Sequence, residues 1–354
     1  MRLVAIMIAA LSLGLSACTK KNTNEILVGQ FGSMTGSEAT FGLSTDEGVK
    51  LAIDDINAAG GIKGKKIKLI TMDNQGKAEE AAAVVTRLIE QEKVIAVIGE
   101  VASSRSLAAA PIAQARKIPM ITPSSTNEKV TTVGDYIFRV CFIDPFQGMV
   151  MAKFATENLK LKKAAILRDM KSDYSVGLAD VFSKKFAELG GTIVAEQTYQ
   201  SGDVDFKAQL TQIKSKNPEL IYIPGYYTEV GLIARQVREL GLKAVLMGGD
   251  GWDSNKLFEI GQAAVNGSYF SNHYSSESPD NNSVEFVNKF KARYGKNPDG
   301  LSAMGYDAAL VLIRAMQNAP ELTSKAIRDE LAKTKDFPGA TGKITIDEKR
   351  NATK

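Results

Sequence analysis

The chain has 354 residues, 44% of them hydrophobic and 24% charged, with a formal net charge of +4 from 44 basic and 40 acidic side chains. That is an ordinary globular composition, long enough for about two domains, and its scattered lysines argue against nucleic acid as a partner. One histidine, His273, and two cysteines, Cys18 and Cys141, exclude most zinc sites and argue against a Ser-His-Asp or Cys-His hydrolase. No metal, cofactor or catalytic residue is expected. In chain order, Met1-Arg2, an apolar run from Leu3 to Ala10 and Leu15-Ser16-Ala17-Cys18 come first. A basic start, a short apolar stretch and small residues before a cysteine form a bacterial lipoprotein signal, so residues 1–17 are expected to be removed and Cys18 lipidated. The apolar run is shorter than the roughly 20 residues needed to cross a bilayer. With Cys18 so used, Cys141 has no partner and is expected to be a buried, small apolar residue.

After a polar tether over 18–25, short apolar runs alternate with amphipathic stretches, the signature of an α/β fold. Ile26–Phe31 predicts a strand. Ser44 and Glu47 have capping-box spacing and predict the start of a helix with Val49, Ala52, Ile53 and Ile56 on one face. Strand Ile67–Met72, a helix with the stripe Ala81, Val84, Val85 and Leu88, strand Val94–Ile98, helix Ser104–Lys117 and strand Pro119–Thr122 follow. A second series begins after Cys141: helix Pro145–Leu159, strand Ala164–Arg168, helix Val176–Leu189, strand Thr192–Glu196, helix Phe206–Lys216, strand Leu220–Ile223, helix Glu229–Leu240 and strand Ala244–Met247. Gly267–His273 reads as extended. Helices over Val284–Tyr294, Leu301–Gln317 and Ser324–Thr334 are expected to pack back on the first lobe, before a strand over Gly342–Asp347.

The glycines do not match a dinucleotide fingerprint or a phosphate loop. In open α/β sheets ligands sit beyond the carboxyl ends of the strands, and four of those ends are polar. They are Gly99–Ser104, Thr122–Thr126, Pro224–Tyr227 and Gly248–Asp253. The paired segments are spaced alike, 23 residues from Ser103 to Thr126 and 24 from Tyr226 to Asp250. Ser103, at a helix N-terminus, suits a carboxylate. Asp250 can pair with an ammonium whose other protons find the Thr126 hydroxyl and the Ser124 carbonyl. Taken singly, each of these residues is better explained as a helix cap, a turn residue or a packed aromatic.

Together the segments Gly32–Gly36, Asp55–Ile62, Thr122–Asn127, Gly225–Gly231 and Gly248–Trp252 resemble the type I periplasmic binding proteins of branched-chain amino-acid ABC transporters. The resemblance covers Ile26 to about Asp347. It implies an α/β fold of two doubly wound, Rossmann-like lobes joined by a hinge, with 26–141 and 275–347 in the first lobe and 142–274 in the second. The chain would cross between them near Cys141 and His273, and 348–354 would start a C-terminal segment that runs further in relatives. It also implies that Ser103, Ser124 and Thr126 hold the ligand's carboxylate and amino groups, that Tyr226 and Asp250 close on it, and that Phe41 and Tyr174 flank its side chain, with Trp252 as a further wall. Asp250 stands where leucine-binding members carry Glu, and the disulfide of some members is absent, with Gln75 and Ala102 at its positions.

The expected function is amino-acid binding by a monomeric lipoprotein, periplasmic or at the cell surface, held to the membrane through Cys18 and serving an ABC permease and its ATPase subunits. The alternatives are a sensor built on the same module, or a binder of an amide, urea or aromatic acid.

Overall fold

The computed structural model describes residues 24–354. The expected signal sequence, Cys18 and most of the expected tether lie outside the described residues. Among those described, no helix is long and apolar enough to cross a membrane.

Five parallel strands, β1 (Glu25–Gly32), β2 (Lys66–Asp73), β3 (Ala96–Ile98), β4 (Met120–Thr122) and β5 (Ile137–Arg139), form one sheet in the order β2-β1-β3-β4-β5. A second parallel sheet holds β6 (Lys163–Asp169), β7 (Thr192–Tyr199), β8 (Leu220–Tyr222), β9 (Val245–Gly248) and β10 (Tyr269–Phe270) in the order β10-β9-β8-β6-β7. Each is covered by helices on both faces, so alternate residues of one strand serve different cores. Val28, Ile98 and Ile121 pack with helices Ala39–Ala58 and Gly300–Asn318. Val97 and Met120 pack with helices Ala78–Glu90 and Ser103–Ala115 on the opposite face. In the second sheet Leu167, Ile221 and Leu246 face helices Lys207–Ser215 and Tyr227–Glu239, while Ile166, Leu220 and Met247 face helices Asp144–Lys153 and Asp173–Glu188. These are two α/β lobes, the fold class expected from the sequence.

The chain passes from the first sheet to the second through 140–143 and returns through 271–280. Helices Asn281–Tyr294, Gly300–Asn318 and Ser324–Leu331 then complete the first lobe's core. At the two crossings the Phe142 and His273 rings pack against each other, with centroids 3.8 Å apart and planes tilted by 33°. Cys141 is buried there, and burial pushes its thiol up to about 12.

Several local expectations change. The first helix begins at Ala39 rather than at a Ser44 cap. Tertiary contact overrides the capping box, because Ser44 instead donates to Asp299 Oδ2 at 2.5 Å. The helix also lies so close to its neighbours that a Cβ on Gly42 would stand 2.3 Å from the Ser33 carbonyl oxygen and one on Gly48 1.9 Å from that of Ser302. The helix predicted over 145–159 ends as an α-helix at Lys153 and continues as a π-helical turn, Phe154–Asn158. Strand β5, helix Asn255–Gly261 and the short strand β11 (Phe337–Gly339) had no clear periodicity to announce them. β11 pairs antiparallel with β12 (Gly342–Ile346), and β12 with β13 (Ala352–Thr353), so residues 352–353 belong to this small sheet beside the first lobe.

Candidate ligand site between the lobes

Parallel strands deliver all their carboxyl ends to one side of a sheet, and here those ends face each other across the two lobes. In both sheets the strand order reverses beside the first strand of the lobe, at β1/β3 and at β6/β8, which is where an open α/β sheet leaves a crevice. A small cavity lies at these points, lined by Phe41, Val101, Ser103, Ser124, Tyr174, Tyr226, Asp250, Gly251 and Leu301. Six of the residues singled out from the sequence therefore meet: Phe41, Ser103 and Ser124 from the first lobe, Tyr174, Tyr226 and Asp250 from the second. Two do not. Trp252 turns into the core of its own lobe, where its Nε1 donates to the Ile223 carbonyl at 2.9 Å. Thr126 is buried behind the lining, with its hydroxyl beside Asp144. Loop backbone has no fixed side-chain period, so spacing alone does not say which of these residues turns toward the cavity.

On the first-lobe side, Ser103 occupies the first turn of helix Ser103–Ala115, whose leading amides have no partner within the helix. Its Oγ accepts the Asn127 amide at 3.2 Å, tying two strand-end loops together. The buried Glu100 carboxylate organises the turn before it, accepting from Ser33 Oγ and Asn74 Nδ2 at 2.9 Å each, from Arg105 Nε at 3.0 Å and from the Ala102 amide at 2.6 Å. Arg105 also pairs with Glu38 at 2.6 Å and lies 5.9 Å from the Tyr226 ring centroid. The loop after β4 is stapled from below by fully buried Arg139, which donates to the carbonyls of Ser125 at 2.5 Å and Asn127 at 2.8 Å.

On the second-lobe side the wall is aromatic. Tyr174 and Tyr226 stack with an interplanar angle of 7° and centroids 5.3 Å apart, and Phe41 meets the Tyr226 ring edge-on at 5.4 Å. Tyr174 Oη accepts the Gly251 amide at 3.1 Å, fixing the loop that carries Asp250.

The buried Asp250 carboxylate is held from three directions. Its Oδ1 accepts from Gln147 Nε2 at 3.0 Å, and its Oδ2 lies 2.9 Å from His273 Nε2 and 3.4 Å from Ser124 Oγ. Gln147 is fully engaged. Its amide nitrogen also donates to Asp144 Oδ1 at 2.9 Å, and its oxygen accepts from Ser271 Oγ at 2.7 Å and from the Asp250 amide at 3.4 Å. Burial, with the nearby Asp250 carboxylate adding to it, pushes Asp144 up to about 7. Burial lowers His273, against the pull of Asp250, so its ring is neutral at pH 7.

A serine, a histidine and an aspartate thus meet, yet not as a hydrolytic triad. Ser124 Oγ, at 3.1 Å, and Asp250 both lie on Nε2, and Nδ1 is buried with no partner. A triad needs the acid and the nucleophile on opposite ring nitrogens. From sequence alone His273 is an ordinary strand-end residue, and Gln147, Asp144 and Arg139 carry no motif that marks them. Register was the available signal for His273: pairing of Phe270 with Gly248 puts the residues two and three past β9 and β10 side by side.

Outside the cavity the lobes also bond directly. Ser104 Oγ donates to Asp173 Oδ2 at 3.0 Å and accepts its amide at 2.9 Å, Thr40 Oγ1 and Ser254 Oγ are 3.0 Å apart, and Asp253 Oδ2 accepts the Gly300 amide at 2.9 Å.

Comparison with known proteins gives a concordant picture. Residues 25–354 match the family model described as periplasmic binding protein. An amino acid binding protein of Pseudomonas aeruginosa is 35% identical over 331 residues, 92% of this chain and 87% of that protein. Among solved structures, the leucine binding protein LivK of Thermotoga maritima is 44% identical with a TM-score of 0.90, covering 93% of each chain. The branched-chain amino acid transporter substrate binding protein LivJ of Streptococcus pneumoniae, in complex with isoleucine, is 36% identical with a TM-score of 0.88, covering 93% of this chain and 94% of that one. The fold, the cleft and these matches lead to one conclusion: the chain belongs to the periplasmic binding proteins, a family that binds solutes and catalyses no reaction.

Proposed function

We propose that the interlobe cavity binds a small α-amino acid with an aliphatic side chain for delivery to an ABC permease and its ATPase. The observation that carries this reading is the polarity of the cavity: a helix N-terminus with Ser103 on one side, a buried carboxylate, Asp250, on the other, and apolar walls between them from Phe41, Val101 and Leu301. An amino acid presents a carboxylate, an ammonium and an apolar branch in that arrangement. The names of the amino-acid-, leucine- and isoleucine-binding relatives support the same class.

In this reading residues 26–141 with 275–347 form one moving body, 142–274 the other, and the crossings at Phe142 and His273 are the hinge. Segment 348–354 travels with the first body, because β13 pairs with β12. Both walls come from one chain, so a monomer suffices. The ligand touches both lobes and favours the closed arrangement by its extra affinity for it. The signal ending at Cys18 supports an extracytoplasmic protein tethered by lipid. Fatty-acid labelling of intact cells should mark the protein and vanish in Cys18→Ser; labelling that persists would remove the anchor.

The decisive experiment is thermal unfolding of the chain from Thr19 against a panel of amino acids, amides and aromatic acids. A ligand at 100 times its Kd adds about 2.7 kcal/mol to stability. Leucine, isoleucine or valine should raise the midpoint. A rise with an amide or a non-amine acid and none with any amino acid would overturn the proposal.

A further inference from the structure

Asp250 is a buried carboxylate with no cation on it. Among the described residues its only ion-pair neighbour is His273, and that ring is neutral at pH 7. Its other partners are the Gln147 amide and the Ser124 hydroxyl. An ionised carboxylate only accepts hydrogen bonds, so the 2.9 Å contact puts the imidazole proton on Nε2 and leaves Nδ1 as the unpartnered lone pair. Neutral donors orient a carboxylate without cancelling its charge, whereas a lysine or arginine in their place would supply the countercharge itself.

The position of His273 adds a second point. It lies on the return crossing between the lobes, its ring packs at a tilt against Phe142 of the outgoing crossing, and its Nε2 reaches Ser124 of the first lobe and Asp250 of the second. Neither lobe alone sets its place, and the hinge does. Ser271, two residues earlier on the same crossing, fixes Gln147 and through it the other oxygen of Asp250.

We infer that His273 is a positioning residue for ligand recognition: from the hinge it holds Asp250 oriented and uncompensated when the lobes meet, so that the countercharge must come from a cationic group on the ligand. This rests on the proposed function and deepens it, since it makes discrimination for an amino group a property of the crossing strand. A purely structural histidine would weaken all ligands alike when replaced, whereas a positioning residue for Asp250 changes the preference between ligands with and without an amino group.

The test is calorimetric titration of the unaltered chain, His273→Ala and His273→Gln with L-leucine and with 4-methylpentanoate, the same molecule lacking its amino group, beside thermal unfolding of each protein. The unaltered chain should prefer leucine strongly. His273→Ala should cut that preference about 10-fold or more by weakening leucine far more than 4-methylpentanoate, and His273→Gln, which restores a neutral N–H donor, should recover most of it. A preference unchanged in both variants, even with both affinities lowered, overturns the inference and leaves the proposed function standing. If the unaltered chain binds none of leucine, isoleucine and valine, or binds leucine and 4-methylpentanoate equally, the proposed function fails and this inference with it.

Discussion

On the first-lobe side of the cavity Ser103 and the polar groups behind the wall are tied to their own lobe. Ser103 accepts the Asn127 amide, Glu100 gathers donors from four residues, and Arg139 clamps the carbonyls under the loop that bears Ser124. On the second-lobe side, Asp250 depends on Gln147 and His273, close to the crossings, and on Ser124 from the opposite lobe. The Ser103 wall is bonded within its own lobe, while the Asp250 wall takes a partner, Ser124, from the opposite lobe. A ligand's carboxylate would then find a preformed seat, and its ammonium a seat that closure makes. Pre-organised donors lower the cost of binding, and a site completed on closure converts binding energy into conformational change.

This contrast can be broken at either wall. The largest effect is expected from Asp250→Ala, which leaves a buried ammonium without its carboxylate; such losses amount to about 3–5 kcal/mol, or more than about 100-fold in Kd for an amino acid. Titration of the folded variant checks it, and an unchanged Kd would remove Asp250 from the site. Ser103→Ala should cost less, about 1 kcal/mol or roughly fivefold, because the helix amides that would receive the carboxylate remain. A loss as large as that of Asp250→Ala would mean that the first wall is not preformed.

The smallest effect concerns stability. Because Asp144 is pushed up to about 7 in the folded chain, the native state holds more protons than the unfolded state between its ordinary value, 3.8, and that point. Stability contributed by this group therefore falls as pH rises through that window and is flat above it. Asp144→Asn keeps an acceptor for Gln147 and removes the titration, so its Tm should exceed that of the unaltered chain by about 2 °C or more above pH 7 and match it near pH 4. A variant that melts lower at both pH values would contradict the assigned burial cost.

Much of this was legible in the sequence because parallel sheets impose it. Apolar runs such as Ile26–Phe31 and Leu220–Ile223 announce buried strands, and the polar residues just after Ile98, Thr122, Ile223 and Met247 must emerge on one side. That geometry is why Ser103, Ser124, Tyr226 and Asp250 lie together. What sequence does not carry is direction within a loop. Ser124 faces the cavity while Thr126, two residues on, is buried behind it, and Asp250 lines it while Trp252 fills the core. Nor does it carry partnerships across long separations: Gln147 reaches Asp250 over 103 residues, and Ser124 meets His273 over 149, through a crossing that no periodicity reveals. The helix at Ala39 starts early for the same reason, since Ser44 serves Asp299 rather than its own helix end.

The most direct measurement is a crystal structure of the chain grown with L-leucine. The account predicts the ligand between the lobes, its ammonium about 3 Å from an Asp250 carboxylate oxygen and its carboxylate on the first turn of helix Ser103–Ala115, with Phe41 and Leu301 against its side chain. Leucine bound with its amino group away from Asp250, or held outside the cavity, would contradict it.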